Sequence, residues 1–305
     1  MSTALVVGGS AFLVALLWRE FLIGWSTLRP TERLGSSLLS GYYARMTEAT
    51  CSCGVVGMVI VLMIAGLAVQ LTRSDRPVWA GLSCVGLLTV FVVLSLLRTR
   101  VTARLLAVGT ECLDIQAVTT RLLRHHIAYM TLLVVIVAIQ LAAVEEGAGS
   151  EAFAVGGASF LAATLWNEVM IDRPATPLAD MPSERDRSTL IGYYKVMTAT
   201  LVRPNLAAVS IAVSTTLAAL VAQLLGNGAP RWATSMSFGI FVVFLVLAGI
   251  RTWPTAVRLG SGSEPVEKEM YVGRKLGQYH LAFVIMLATV VGIQLAGQVG
   301  EHVHI

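Results

Sequence analysis

Charge is what this chain has least of. Asp, Glu, Lys and Arg make up 13% of its 305 residues, against about 25% in a soluble globular domain. Hydrophobic residues reach 56%, and the stretches between apolar runs are too short to build a separate soluble core. Any activity therefore sits within membrane helices or on short loops. Cysteine is also scarce: Cys51, Cys53, Cys84 and Cys112 are the four in the chain. None falls in an outer loop of the topology that the basic residues indicate, which argues against a disulfide framework. The phosphate-binding P-loop, the dinucleotide fingerprint, HExxH and GxSxG are all missing, which turns the reading away from an enzyme. The net charge of +4 is dispersed between apolar spans rather than gathered on one face, which excludes nucleic acid as a partner. Ahead of the first apolar run, MSTALVVGGSAFLVALLW, there is no basic segment, and no small-residue cleavage site comes after it. It reads as a first transmembrane helix and not as a removable signal.

What the chain does have is apolar length. A spanning helix needs about 20 mostly apolar residues, and eight segments qualify, near 3–23, 51–71, 78–97, 126–144, 153–171, 204–225, 232–250 and 279–297. The fold class is an all-α polytopic membrane protein. Basic residues near span ends are retained on the cytoplasmic side. The loops after the first, third, fifth and seventh spans hold 19 of the Lys and Arg residues; the remaining loops hold only Arg73, Arg76 and Arg231. Both termini are therefore expected outside, in the plasma membrane, with the acidic VEEGAGSE linker at 144–151 outside as well.

The chain also repeats itself. GYYARMTEAT at 41–50 returns as GYYKVMTAT at 192–200. GGSAFLVALLWREFLI pairs with GGASFLAATLWNEVMI, LLRT with GIRT, and HHIAYMTLLVVIVAIQLA with YHLAFVIMLATVVGIQLA, at offsets that drift from 148 to 154. Four spans per copy is an even number, so the copies enter the membrane the same way round. The expected architecture is two parallel four-helix repeats, residues 1–148 and 149–305, related by an axis along the membrane normal.

Ionisable residues inside a bilayer are costly and usually functional, and the centres of all eight spans contain none. The doubled polar residues gather at span ends: Glu20, Tyr42, Tyr43, Thr47, Arg98 and His126, matched by Glu168, Tyr193, Tyr194, Thr198, Arg251 and His280. One reading makes Glu20, Arg98 and His126 a polar cluster at the inner mouth of the first bundle, with Glu168, Arg251 and His280 in the second, able to gate a pore, hold an anionic head group or ligate a metal. The other makes them interfacial anchors and an aromatic belt. His126 and His280 share one depth and are the candidates for a shared metal ion or haem, although no cofactor is required by any motif. Cys51 and Cys53 have no counterpart in the second copy, and His302 and His304 form a candidate metal site only at the chain's tail.

Smaller signals complete the picture. TCSCG before the second span and TLVRPN before the sixth mark backbone irregularities. Pro204 either breaks a helix running on from Tyr193, in which case unwound backbone leaves room for a cavity beside each cluster, or occupies the first turn of its own span. Gly8, Gly9, Gly156 and Gly157 permit close helix contact. Trp79 and Trp232 fit an outer aromatic belt. Gln70, Gln140, Gln223 and Gln294 are placed to hydrogen-bond between helices or line a vestibule. In the third loop, Ile115, Val118 and Leu122 share a face, which predicts a surface-lying or extended helix whose arginines grip anionic lipid or a partner protein.

Three functions compete. The first is a membrane channel or transporter for a small solute or ion, with Glu20, Arg98, His126, Tyr43, Glu168, Arg251, His280 and Tyr194 as pore or binding residues. The second is a non-catalytic subunit that organises lipid or packs in a homo-oligomer or with other membrane proteins. The third is a membrane redox or lipid-modifying enzyme that uses His126 and His280.

Overall fold

The computed structural model describes residues 1–28, 39–46, 54–72, 77–108, 115–143, 149–172, 184–199, 201–226, 230–262 and 265–301. Thr47, Cys51, Cys53, Cys112, His302, His304 and most of the 144–151 linker lie outside these residues. The described residues are helical throughout, apart from short turns. In chain order the helices are α1 (Ser2–Leu28), α2 (39–46), α3 (Val55–Thr72), α4 (Val78–Leu94), α5 (Arg100–Val108), α6 (Ile115–Ala142), α7 (Gly149–Asp172), α8 (Glu184–Ala199), α9 (Val202–Leu225), α10 (Arg231–Leu247), α11 (Trp253–Ser261) and α12 (Val266–Glu301). A π-helical turn joins α4 to α5 at Ser95–Thr99, and another joins α10 to α11 at Ala248–Thr252.

Proline and glycine punctuate these helices where backbone chemistry tolerates them. Pro77 and Pro230 precede α4 and α10 as extended residues, and Gly262, with φ of 60°, closes α11 in the left-handed conformation that costs a side-chain-free residue little. Pro204 is resolved in favour of its own helix. α8 stops at Ala199, Leu201 caps α9, and Pro204 falls in the first turn, where its missing N–H leaves no bond unmade.

Eight helical segments are long and apolar enough to cross a membrane: Ser2–Ser26, Val55–Thr72, Val78–Ala107, Ile115–Ala142, Gly149–Asp172, Val202–Leu225, Arg231–Ser261 and Lys268–Gln298. Each overlaps an expected span, but four run well beyond it. The third and seventh continue through the π-turns, and the fourth and eighth begin long before their histidines. Hydropathy falls in these extensions while helix propensity does not, so the helix continues where the apolar run ends. Of the two alternatives for the third loop, the extended helix is the one found: α6 begins at Ile115.

The helices pack as two rings. α1, α3, α4 and α6 contact in that cyclic order, as do α7, α9, α10 and α12. The first ring encloses Val6, Met63, Leu88, Leu133 and Ile136, and the second encloses Ala158, Leu220, Phe241, Leu287 and Val290. Between them α1 and α7 run side by side in the same direction. Their first halves meet through small residues: a Cβ built on Gly8 would lie 2.8 Å from Val155 Cγ1, and one on Gly156 would lie 3.0 Å from Val7 Cγ1. Lipid tails give helices no hydrophobic reason to associate, so close backbone approach supplies the attraction. Gly157 likewise admits Thr216 of α9, with the Ala212 carbonyl 3.0 Å from its would-be Cβ.

The glutamines are spent between helices. Gln70 and Gln140 exchange hydrogen bonds of 2.6 and 3.0 Å, and Gln294 donates to Ser237 at 3.1 Å. Trp79 and Trp232 are exposed in the first turns of α4 and α10, and Cys84 is free and buried in the first ring.

This packing makes Gly157 intolerant of one methyl group. Gly157→Ala should destabilise by about 1–3 kcal/mol through overpacking and lower the thermal midpoint in mild detergent. Gly239→Ala, at a site open to space, should leave it unchanged or raise it by up to about 1 kcal/mol. Circular dichroism melts of both variants check this, and equal shifts would contradict the packing described.

Candidate functional site

The second halves of α1 and α7 carry the polar residues. On α1 the neighbours Arg19 and Glu20 point about 100° apart around the helix, so each reaches different surroundings. Arg19 turns into the seam and forms an ion pair with Glu168 of α7. The guanidinium is 2% exposed, and its other terminal nitrogen lies 3.9 Å from Met197 Sδ of α8. Glu20 turns the opposite way. Its Oε2 lies 3.0 Å from His126 Nε2 on α6, within ion-pair distance but off hydrogen-bond alignment.

On α7, Asp172 stands one turn after Glu168 and therefore on the same face. It is fully buried, with both carboxylate oxygens engaged: Tyr194 donates its hydroxyl to Oδ1 at 2.8 Å, and His280 Nδ1 of α12 lies 2.8 Å from Oδ2. A carboxylate held this way is compensated on both sides, as a buried charge requires.

Helices α2 and α8 close over this layer. Tyr42 and Tyr193 stack with centroids 6.1 Å apart and planes 8° apart. Each meets its neighbour edge to face, Tyr42 with Tyr43 and Tyr193 with Tyr194, both at 5.3 Å. Arg45 of α2 donates to the Ile171 carbonyl of α7 at 2.9 Å. The tyrosines are buried with Leu22, Ile23, Met170, Ile171 and Leu276 in one cluster shared by both rings. Burial pushes all four phenols up from their ordinary value; the Glu20 charge adds to this at Tyr42 and Tyr43 and the Asp172 charge at Tyr194, while Arg19 pulls partly back at Tyr193.

A cavity of about 510 Å³ opens beside the layer. Glu20, Tyr43, Trp166 and Met170 line it, with Gly54 and Arg104 also on its wall. It lies beside Glu20 of the first polar cluster. Pro204, in the second half, lines a different space: an apolar groove of about 540 Å³ with Val14, Phe160 and Ile211.

The expected clusters form in part. Glu20 and His126 meet, and Tyr43 and Tyr194 join the layer. Arg98 and Arg251 do not: both are exposed on the π-turns. Each such turn adds one residue and so rotates the rest of its helix by roughly 100°, carrying these arginines away from the carboxylates. Glu168 pairs across the seam with Arg19 and not with His280. The shared His126–His280 site is replaced by two separate His–carboxylate pairs, because α6 packs on α1 and α12 on α7. Among the described residues no group of three His, Cys, Asp or Glu could hold a metal ion.

Sequence reasoning missed Arg19, Asn167 and Asp172. The signal lay in WREF against WNEV, where the residue before each matched glutamate changes from Arg to Asn, and in the four-residue spacing from Glu168 to Asp172. Asn167 is fully buried beside the Tyr42 phenol.

By helix length and hydropathy the chain is an integral, multi-pass membrane protein. Compared with protein-family models, curated proteins and solved structures, it matches none.

The pairing across the seam has a distinctive mutational signature. Arg19→Met or Glu168→Met alone strands a buried charge and should cost about 3–5 kcal/mol, whereas the double change should come out near neutral or stabilising. Thermal melts of the three variants in one detergent test this; additive losses would contradict a buried pair.

The tyrosines predict alkaline sensitivity. Their neutral forms are favoured in the folded state, so their stabilisation is complete below the unfolded phenol value of about 10 and is lost as pH rises through the higher folded values. Melting temperature should fall above about pH 10, and less steeply in Tyr42→Phe/Tyr193→Phe than in the parent.

Proposed function

We propose that the protein is a membrane channel or transporter for a small solute or ion, built from two four-helix repeats, 1–148 and 149–305. In this reading the copies enter the plasma membrane the same way round, with both termini outside. The parallel course of α1 and α7, the same cyclic packing order in both rings, and the matched tyrosine pairs and π-turns support the repeat.

The observation that carries the function is the ionic layer itself. Three buried or half-buried carboxylates, two histidines and an arginine gather where the rings meet, and a membrane protein rarely holds such groups without using them. Polar capacity also remains unspent there: Arg19 Nε, Glu168 Oε2 and the Tyr193 hydroxyl are buried and make no hydrogen bond among the described residues. A small polar or charged solute supplies such partners. Glu20 is the group that meets it first, because its side chain is 20% exposed on the wall of the 510 Å³ cavity. The carboxylate favours a cation, and the Trp166 and Tyr43 rings on the same wall reinforce that preference. His126 behind Glu20 is its resting partner. Arg19 and Glu168 form the next barrier inward, and a charged solute crosses it by competing for one member of the pair.

A second reading has its own support. The apolar groove along Val14, Phe160, Pro204 and Ile211 suits a helix of another membrane protein or an acyl chain, as a non-catalytic subunit would need. The enzyme reading has no comparable observation, since His126 and His280 face separate carboxylates and do not share a site.

Purified protein reconstituted in liposomes under an imposed potential, with dyes for protons, sodium, potassium and chloride, separates these readings. Flux above empty vesicles is expected, reduced about tenfold or more by Glu20→Gln, the effect of roughly 1.4 kcal/mol on a barrier. A flux that Glu20→Gln leaves unchanged removes Glu20 from the path. The absence of any flux supports the subunit.

A further inference from the structure

On the flank of the first ring, away from the ionic layer, the π-turn at Ser95–Thr99 and the first turns of α6 enclose a groove of about 870 Å³. Arg98 enters it from the π-turn, and Arg121, Arg124 and His125 enter from α6. The spacing of these three puts them on one helical face. Among the described residues no carboxylate lines the groove, and His125 Nδ1 is buried and makes no hydrogen bond to any of them. Three arginines converge on one space, and no acidic residue among those described lines it with them. The corresponding place in the second ring, between α11 and α12, is a groove of about 310 Å³ that Arg258, Lys268 and Lys275 line.

The surroundings identify the class of ligand. Leu97 and Val101 form the apolar side of the first groove. From there an exposed apolar strip runs away along Val90, Val93 and Leu97 on one side and Ile127, Val134 and Val135 on the other. A ligand that matches this surface has a compact anionic end and two long apolar chains. A free anion would leave the strip unused, and an acidic peptide would set polar backbone against it. We infer that the groove binds the phosphodiester head group of an anionic phospholipid, with the acyl chains lying along α4 and α6. Arginine suits this role, since its planar fork holds phosphate oxygens in pairs, and basic pockets between membrane helices take such head groups. The π-turn is the backbone device that aims Arg98 into the groove. The site is separate from the proposed transport path, so neither proposal depends on the other.

The test uses full-length protein stripped of lipid in detergent and offered phosphatidylglycerol, phosphatidylcholine or inorganic phosphate, with bound molecules counted by native mass spectrometry. Phosphatidylglycerol should be retained over phosphatidylcholine. Each basic residue near the surface is worth about 1 kcal/mol, so Arg124→Gln should weaken retention about fivefold and Arg121→Gln/Arg124→Gln more strongly. All are exposed side chains, and unchanged thermal melts verify that the variants fold. Arg203→Gln, exposed on α9, should retain phosphatidylglycerol as the parent does. Equal retention of the two lipids, full retention by the double variant, or displacement of phosphatidylglycerol by inorganic phosphate at comparable concentration would overturn the inference.

Discussion

Everything in this molecule is arranged around two helices that lie parallel and closely packed. Where Gly8 and Gly156 let α1 and α7 approach, Val155, Ser159 and Val7 of the facing helix fill the space a Cβ would take. Farther along the same seam the large residues Arg19 and Glu168 must share what space remains. An unpaired charge at that position would be intolerable, and the parallel course brings the residue it needs to the same height. α2 and α8 then exclude solvent from one side, with the Tyr42–Tyr193 stack as the contact between them. Small residues in one part of the seam and opposite charges in the other are thus two consequences of one packing decision.

The seam is not symmetric in its chemistry. Positions paired by the internal alignment hold Arg19 and Asn167, so a single guanidinium faces a single carboxylate, and the reverse pairing through Glu20 does not occur. One turn on, Gly24 of α1 packs against Leu123, whereas Asp172 of α7 packs against Gly277. Leu123 and Gly277 are themselves aligned. Bulk has been exchanged for charge: the glycine on α12 makes room for the carboxylate on α7, and the leucine on α6 fills the place that Gly24 leaves. Glu20 thus meets its histidine at the edge of an open cavity, while Asp172 and its histidine are both buried.

The spans were legible because the bilayer imposes one dominant rule on sequence, a length of apolar residues, and all eight obey it. The participants in the polar layer were legible where they are doubled, as with Glu20 and Glu168, His126 and His280, or Tyr43 and Tyr194. Their partners were not. Pairing depends on the angle of each side chain around its helix and on which helices touch, and neither is set by depth. Arg98 and Arg251 look equivalent to the histidines in a hydropathy profile, yet a single extra residue in each π-turn rotates them out of the layer. Arg19 and Asp172 escaped because each lacks a like residue in the other half, so a search for matches passes over them.

The π-turns show how one irregularity serves two surfaces. A π-turn weakens local hydrogen bonding and survives mainly where function holds it in place, and here two occur at aligned positions, each carrying an arginine. A π-turn shifts the residues after it by roughly 100° around the helix, and Ala103 and Leu106 beyond this one pack into the shared core. With the turn, the apolar face of α5 stays against that core, and Ser40 of α2 can donate to the Ala107 carbonyl at 3.1 Å. The same rotation sends the cation outward to the groove with Arg121 and Arg124. Arg98 and Arg251 are therefore exposed on the outer flanks while the carboxylates lie at the seam, and the two sets of charge stay apart.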